Sequence, residues 1–259
     1  MDIDLELAKK TAIEAVRGAG DIVMDYFNKE KIVSVKGKGD IGTDIDLKSE
    51  KFIIDLIKKN FPGHTILSEE AGLDEKKSEY AWIIDPIDGT MNYFHGVEPF
   101  CVGLCMIKND EPMISVIYNP SRERFYFAEK GKGTTMNGNP ISVSKRDLKN
   151  SVIMTHISSK KETRDRLFSN LEKIYSSGLH MRVFGSGFSD MTYIAGGNFD
   201  VMFQIKTNIW DIFPGVLLIE EAGGKVTDIK GKKIGIKSDS VLATNGVCHE
   251  EMVALLKDI

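Results

Sequence analysis

Apolar residues recur at helical spacing from the start of the chain. Leu5, Ala8, Ala12, Ala15, Ala19, Ile22 and Val23 share one face, which predicts an amphipathic helix over 4–27; Gly18 and Gly20 weaken it slightly. Residues 31–38 alternate loosely and predict a strand. Residues 44–60 predict a second helix with Leu47, Phe52 or Ile53, Leu56 and Ile57 on its apolar face, ended by Phe61-Pro62-Gly63. Short apolar runs at 65–67, 81–84, 100–107, 113–118 and 124–128 predict strands of a meander, and Asn137-Gly138-Asn139-Pro140 predicts a turn. From 151 the pattern alternates: a strand at 151–156, a helix near 161–175, a strand near 180–184, a helix near 187–196, a strand at 199–205 and a helix at 211–222 closed by Gly223-Gly224. Short strands and a final helix from about 248 complete the chain. The first half therefore reads as α+β and the second as α/β. The length, 259 residues, is near the point at which single cores split, so two units are expected, 1–145 and 146–259.

Composition narrows the function classes. A hydrophobic share of 42% and a charged share of 28% are those of an ordinary globular chain. The formal net charge of -4 lacks the basic excess of a nucleic-acid-binding surface. No run approaches the roughly 20 apolar residues of a membrane helix, and Met1-Asp2-Ile3-Asp4-Leu5-Glu6 does not follow the plan of a signal peptide. A cytoplasmic location is the expectation, with no membrane or nucleic-acid partner. Cys101, Cys105 and Cys248 form no Cys-x-x-Cys pair. Cys101 and Cys105 lie four apart in an apolar run, on one face of a strand, and read as core thiols.

The chemistry lies in carboxylates. Four stretches carry them: Asp40-Ile41-Gly42-Thr43-Asp44-Ile45-Asp46, Ser68-Glu69-Glu70, Asp85-Pro86-Ile87-Asp88-Gly89-Thr90 and Trp210-Asp211. Trp82-Ile83-Ile84 predicts a buried strand ending at Asp85. Pro86 bars its regular continuation and Gly89 frees the backbone to turn, so Asp85 and Asp88 can converge with the Ile87 carbonyl between them. Such carboxylates repel one another unless a cation sits there. Oxygen donors suit Mg²⁺ or Mn²⁺, and the scattered histidines, 64, 95, 156, 180 and 249, weigh against zinc. The alternative is that the two aspartates cap a turn or helix. A phosphate monoester would suit the cationic reading. Attack on that dianion by hydroxide is electrostatically opposed, and two cations would neutralise the phosphate, ease ionisation of a water and stabilise the departing oxygen. Backbone N–H groups at Gly89 and Thr90 could add an anion-binding end, and Gly185-Ser186-Gly187 reads equally as a second such end or as an ordinary turn.

Other phosphatase and metal motifs do not fit. A haloacid-dehalogenase-type enzyme needs aspartates two apart, whereas Asp85 and Asp88 are three apart around a proline. No Cys precedes a phosphate-cradling loop and Arg. An EF-hand from Asp40 would place Ile45 and Lys51 where Gly and Glu are required.

The segment from Trp82 to Gly96, WIIDPIDGTMNYFHG, closely resembles the signature of the inositol monophosphatase family. The Glu69-Glu70 pair, the Asp40-x-x-Thr43-x-x-Asp46 stretch and Trp210-Asp211 follow the family's order, so the resemblance spans nearly the whole chain. It implies a layered αβαβα sugar-phosphatase fold, an Mg²⁺-dependent phosphatase acting on a small phosphate ester, Li⁺ sensitivity and a homodimer. It implies two or three Mg²⁺ ions, with Mn²⁺ able to substitute. Glu69, Asp85 and the Ile87 carbonyl would hold one ion, and Asp85, Asp88 and Asp211 a second. Glu70 would serve a third ion, a supporting contact or a solvated charge. Thr90 and Asp46 would orient and deprotonate the attacking water, with Glu69 beside them. Substrate contacts would come from Ile87, Gly89, Thr90, Arg182, Gly185, Ser186, Gly187, Gln204 and Asp211. Gln204 stands where inositol monophosphatases often carry a polyol-contacting Glu. With charge lost there, Lys206 and Arg182 could favour a substrate with a second anionic group, which makes fructose 1,6-bisphosphate the alternative to inositol monophosphate; the other reading of Lys206 is a solvated surface lysine. A regulatory protein that had kept the fold and lost turnover is disfavoured, because Asp46, Glu69, Asp85, Asp88, Thr90 and Asp211 are all present.

Overall fold

Asp4 caps the first helix through its side chain, which accepts the Leu7 N–H at 3.0 Å, and α1 runs over Leu5–Tyr26. The computed structural model describes residues 3–37, 40–74, 76, 78–158, 160–176 and 179–257. The expected strand at 31–38 is one arm of an antiparallel pair, β1 (Val33–Gly37) and β2 (Asp40–Thr43), and its last position, Lys38, lies outside the described residues. β2 runs directly into α2 (Asp44–Asn60).

The large sheet follows. Its strands are β3 (Thr65–Ser68), β4 (Gly72–Leu73), β5 (Tyr80–Asp88), β6 (Cys101–Lys108), β7 (Glu111–Asn119), β8 (Arg124–Glu129), β9 (Gly133–Met136) and β10 (Asn139–Ile141), with a short α3 (Thr90–Phe94) after β5. Their order is β10-β9-β8-β7-β6-β5-β3-β4. From β5 to β10 this is the expected meander. β3 departs from it by running parallel to β5, so the connection between them crosses over. Asn137 and Gly138 both take positive φ in the β9–β10 turn, which favours Asn-Gly there.

The second half alternates as its periodicity predicts: β11 (Val152–Thr155), α4 (Lys161–Ser176), β12 (His180–Arg182), α5 (Gly187–Ala195), β13 (Val201–Ile205), α6 (Phe213–Glu221), β14 (Lys225–Thr227), β15 (Ser240–Thr244) and α7 (His249–Leu256). The sheet order is β12-β11-β13-β15-β14, with β12, β11 and β13 parallel.

The layers stack as αβαβα. On one face of the large sheet, Ala8, Ala12, Ala15 and Ala19 of α1 and Ile53 and Ile57 of α2 meet Trp82, Ile84, Val102 and Leu104. On its other face, Ile83, Cys101 and Cys105 pack with Phe188, Met191 and Leu217 of α5 and α6, which in turn receive Met154, Met202 and Val241 from the second sheet. Beyond that sheet, Leu167 and Ile174 of α4 and Met252 and Leu256 of α7 cover Ile153, Val201 and Phe203. Cys101 and Cys105 share the inner face, as their spacing predicts. Among the described residues no helix is long and apolar enough to cross a membrane.

The expected apolar face of α2 holds in part: Ile53 and Ile57 are buried, but Leu47 is not. Leu47 is 57% exposed and Phe52 37% exposed, while Ile45, Asp46, Ser49, Glu50, Ile53 and Ile57 are buried. The helix is rotated so that polar residues at its amino end enter the protein interior.

Candidate active site

Asp85 and Asp88 owe their placement to an irregularity in β5. Trp82, Ile83 and Ile84 pair regularly with β6, but Pro86 has no N–H for the ladder. Asp85 stands opposite Gly103 and Asp88 opposite Cys101, so β5 carries an extra residue over this step. Asp85 accepts the Ile87 N–H at 3.1 Å. Gly89 then takes φ +86°, and a Cβ there would lie 2.9 Å from the Pro99 carbonyl oxygen, so the turn into α3 has room for glycine alone.

The opposing wall comes from α5. Gly103 on β6 admits it: a Cβ at that position would meet the Phe188 ring at 1.9 Å. With α5 pressed against the sheet, the Ser186 hydroxyl donates to the Asp88 carboxylate, as do the N–H groups of Gly187 at 3.0 Å and Phe188 at 2.9 Å. The Gly185-Ser186-Gly187 turn, read from sequence as a possible substrate anchor, therefore gives its donors to Asp88. Unpaired N–H groups at a helix start attract the nearest carboxylate. Gly185 itself lines the cavity. Arg182 corrects the expectation of a substrate contact: it is exposed on the edge strand β12, donates from Nη1 to the Met181 carbonyl at 2.8 Å and does not line the cavity.

Asp46 is held by the cap of α2. The Thr43 N–H and hydroxyl donate to Asp46 Oδ2 at 2.7 and 2.5 Å, and Thr43 Oγ1 accepts the Ile45 N–H. The other oxygen, Oδ1, faces the Thr90 hydroxyl at 3.2 Å, and that hydroxyl lies 2.8 Å from the Ile87 carbonyl. One turn along α2, Glu50 accepts the N–H groups of Glu70 at 2.9 Å and Ala71 at 3.3 Å, fixing the loop that carries Glu69. Asp44 instead accepts the Ile32 N–H and pairs with Lys48. From the second half, Asp211 Oδ2 accepts from the Thr207 hydroxyl and the Asn208 N–H.

These groups enclose a cavity of about 200 Å³. Glu69, Asp85, Asp88 and Asp211 line it together with the turn from Ile87 to Met91. His156, Gly185 and Gln204 complete the wall. Burial pushes the Asp85 carboxyl well above its usual range, and the charges of Glu69, Asp88, Asp211 and Asp46 push it further. Asp88 is pushed up to about 7 by burial and by Asp211, against the lowering effect of the Ser186, Phe188 and Gly187 donors.

The donor set fits a hard divalent cation. All its side-chain ligands are carboxylates, and carboxylates that raise one another in this way exchange their protons for a cation. Among the described residues no three His, Cys, Asp or Glu side chains already stand as a finished metal cage. Asp88 turns both oxygens toward the start of α5, and Asp211 turns Oδ2 toward donors of its own loop.

Three residues of this region escape a reading of the sequence. Glu50 looks like a solvated helix position. Asp190 on α5 is buried, with neither oxygen hydrogen-bonded, and its carboxyl is raised well above the usual range by burial and by Asp88. His156 looks like one of five scattered histidines; its one signal was its place at the carboxyl end of a predicted strand, where α/β sheets hold their ligands.

A model of the inositol monophosphatase family matches residues 4–259. The chain is 32% identical over 249 residues to the fructose-1,6-bisphosphatase/inositol-1-monophosphatase of Thermotoga maritima, covering 96% of this chain and 95% of that one. It is 34% identical over 238 residues to Nus factor SuhB of Pasteurella multocida, covering 90% and 89%. Among solved structures, the extragenic suppressor protein suhB from Bartonella henselae superposes with a TM-score of 0.92 at 29% identity, over 97% and 98% of the two chains. The inositol monophosphatase from Anabaena (Nostoc) sp. superposes with a TM-score of 0.85 at 32% identity, over 99% and 98%.

Proposed function

We propose, since the chain belongs to the inositol monophosphatase family and is a phosphoric monoester hydrolase, that it removes phosphate from an inositol monophosphate with Mg²⁺ as the working cation. The observation that carries this reading is the cluster of buried Asp85 and Asp88 with half-buried Asp211 and Glu69, whose charges oppose one another around one cavity. Glu69, Asp85 and the Ile87 carbonyl would hold one ion, and Asp85, Asp88 and Asp211 another. Cations bound there would neutralise the phosphate dianion and ease the ionisation of water.

The chain's own residues do the remaining work. Asp46 Oδ2 is fixed by two donors of Thr43, and Oδ1, turned to the Thr90 hydroxyl, would accept the proton. The Thr90 hydroxyl lies between Asp46 and the Ile87 carbonyl and so can hold the attacking water in line. Gly89 and Gly185 let the backbone come close to the phosphate. Gln204 borders the leaving group.

Phosphate release from inositol 1-phosphate should require Mg²⁺ and stop on chelation. Asp88→Asn should abolish it. Release that ignores the chelator, or none from any polyol monophosphate, rejects the reading. Fructose 1,6-bisphosphate is the second substrate. Lys206 lines a groove that shares His156, Gln204 and Asp211 with the catalytic cavity, and would have to exchange its ion pair with Asp239 for the second phosphate. Absence of turnover of the bisphosphate removes that arm alone. The family resemblance supports a homodimer, which sedimentation of the pure protein checks. Similarity to proteins named Nus factor SuhB favours a regulatory role beside turnover, which an Asp88→Asn chain would separate from catalysis.

A further inference from the structure

The segment from Trp82 to Gly96 holds a polar side chain that the chemistry above leaves unused. Asn92 stands on α3, just beyond the Gly89 turn. Its Nδ2 donates to the Pro99 carbonyl at 2.8 Å and to the Phe184 carbonyl at 2.7 Å, which uses both N–H bonds of the amide. Pro99 leads into β6 of the large sheet, and Phe184 directly precedes Gly185 in the second half of the chain. One amide therefore ties the turn at Gly89 to the turn at Gly185, and both glycines line the catalytic cavity.

Both ends of this tie are anchored. On the first side, the neighbouring Tyr93 is buried, its hydroxyl donates to the Val23 carbonyl of α1 at 2.8 Å, and its ring packs on Phe27 and Phe100. On the second, the Phe184 ring packs with Tyr193 and Phe199. Between them the backbones come close: a Cβ on Gly89 would lie 3.3 Å from the Gly185 carbonyl oxygen, and a Cβ on Gly185 would lie 3.3 Å from Asn92 Nδ2. A shift of the Gly185 turn thus passes directly into the shape of the cavity. The other hold on this turn is Asp88, which accepts from Ser186, Gly187 and Phe188. That carboxylate is also an expected cation ligand, and an oxygen turned to a cation gives less to the turn. Asn92 is neutral and its donors face backbone carbonyls, so its hold does not depend on the cation.

Resting on the phosphatase reading above, we infer that Asn92 is a positioning residue: it braces the Gly185 turn against the Gly89 turn and so sets the width of the cavity where the phosphate group is held. Asn92→Leu keeps the size of the side chain and removes both donors. KM for inositol 1-phosphate and for p-nitrophenyl phosphate should rise by the same factor, roughly 10-fold. The change in kcat should be smaller, because the wall meets the phosphate before and during reaction alike. Inhibition by inorganic phosphate should weaken in step. By hydrogen exchange the amides of Gly185, Ser186 and Gly187 should open faster than in wild type, while Mg²⁺ binding by calorimetry keeps its wild-type affinity. Asn92→Ser leaves room for a water to bridge the two carbonyls and should show a smaller rise in KM. An unchanged KM in Asn92→Leu, or in Asn92→Ser where the leucine variant does not fold, overturns the brace. So does a rise on one ester alone, a loss confined to kcat as from a partly unfolded population, or a matching fall in Mg²⁺ affinity. If the wild-type chain releases phosphate from neither ester, the phosphatase reading fails, whereas unaltered exchange at the Gly185 turn beside an active wild type overturns the brace alone.

Discussion

The two helices that cover the outer face of the large sheet use their buried sides differently. α1 buries Ala8, Ala12, Ala15, Val16, Ala19 and Val23, with Thr11 and Gly20 as the small companions. α2 buries Asp46, Ser49 and Glu50 alongside Ile45, Ile53 and Ile57. Each polar group on α2 has an assignment: Asp46 faces Thr90, the Ser49 hydroxyl donates to the Pro86 carbonyl at 3.0 Å, and Glu50 fixes the Glu69 loop. α1 follows the binary pattern and supplies adhesion. α2 breaks that pattern over its first two turns, where the catalytic groups are, and keeps it beyond them.

Substitutions can test that division. The largest effect is expected for Asp46→Asn, which keeps an oxygen for the Thr43 donors but removes the base. Turnover should fall about 10²- to 10⁴-fold with little change in melting temperature, and a loss under tenfold in a steady-state assay would take Asp46 out of the catalytic set. Next comes Glu50→Ala, which frees the Glu70 and Ala71 N–H groups. Mg²⁺ titration of activity should show affinity weakened about 10- to 100-fold, and Glu50→Gln should lose less because an acceptor remains; equal losses would argue against the hydrogen-bonding role. On α1, Val16→Ala should cost about 2 kcal/mol in denaturant unfolding while kcat/KM stays at the wild-type value. A change in catalysis there would erase the contrast between the helices.

The smallest effect sharpens the contrast through α5, which also buries a carboxyl group. Asp190 is raised in the folded state, so below its unfolded value, about 4, it is neutral in both states and costs nothing. As pH climbs toward the folded value, the unfolded chain ionises first and the fold loses stability. Asp190→Asn removes that loss. Its unfolding free energy should match wild type near pH 4 and exceed it increasingly toward pH 8, by about 1 kcal/mol at the top of the range. A difference that does not vary with pH would place the cause elsewhere.

How much of this was legible in the sequence follows from where the signal lay. α1 was visible because its apolar stripe is unbroken, and the β9–β10 turn because Asn137-Gly138 suits positive φ at both positions. Asp85 and Asp88 were visible because Pro86 and Gly89 mark the irregularity that aims them. α2 was placed along the chain, with Ile53 and Ile57 on its buried side, but a reading that sends polar residues outward turned Leu47 inward in place of Asp46, Ser49 and Glu50. Glu50 was lost by the same rule. His156 and Gln204 line one cavity only through the register of two strands whose contact, Thr155 to Phe203, spans 48 positions, and no local pattern encodes that. Arg182 went the other way: near Ser186 in sequence, it lies on an edge strand and turns to its own backbone.

Asp88 belongs to the first sheet, and the three groups that grip it stand at the start of a helix packed between that sheet and the second. That carboxylate is a clasp across the seam of the molecule. Any slippage of one half against the other must open the clasp before it disturbs either sheet, so turnover should fail on heating ahead of helical circular dichroism. The reaction rate thereby serves as a gauge of how well the two halves are seated.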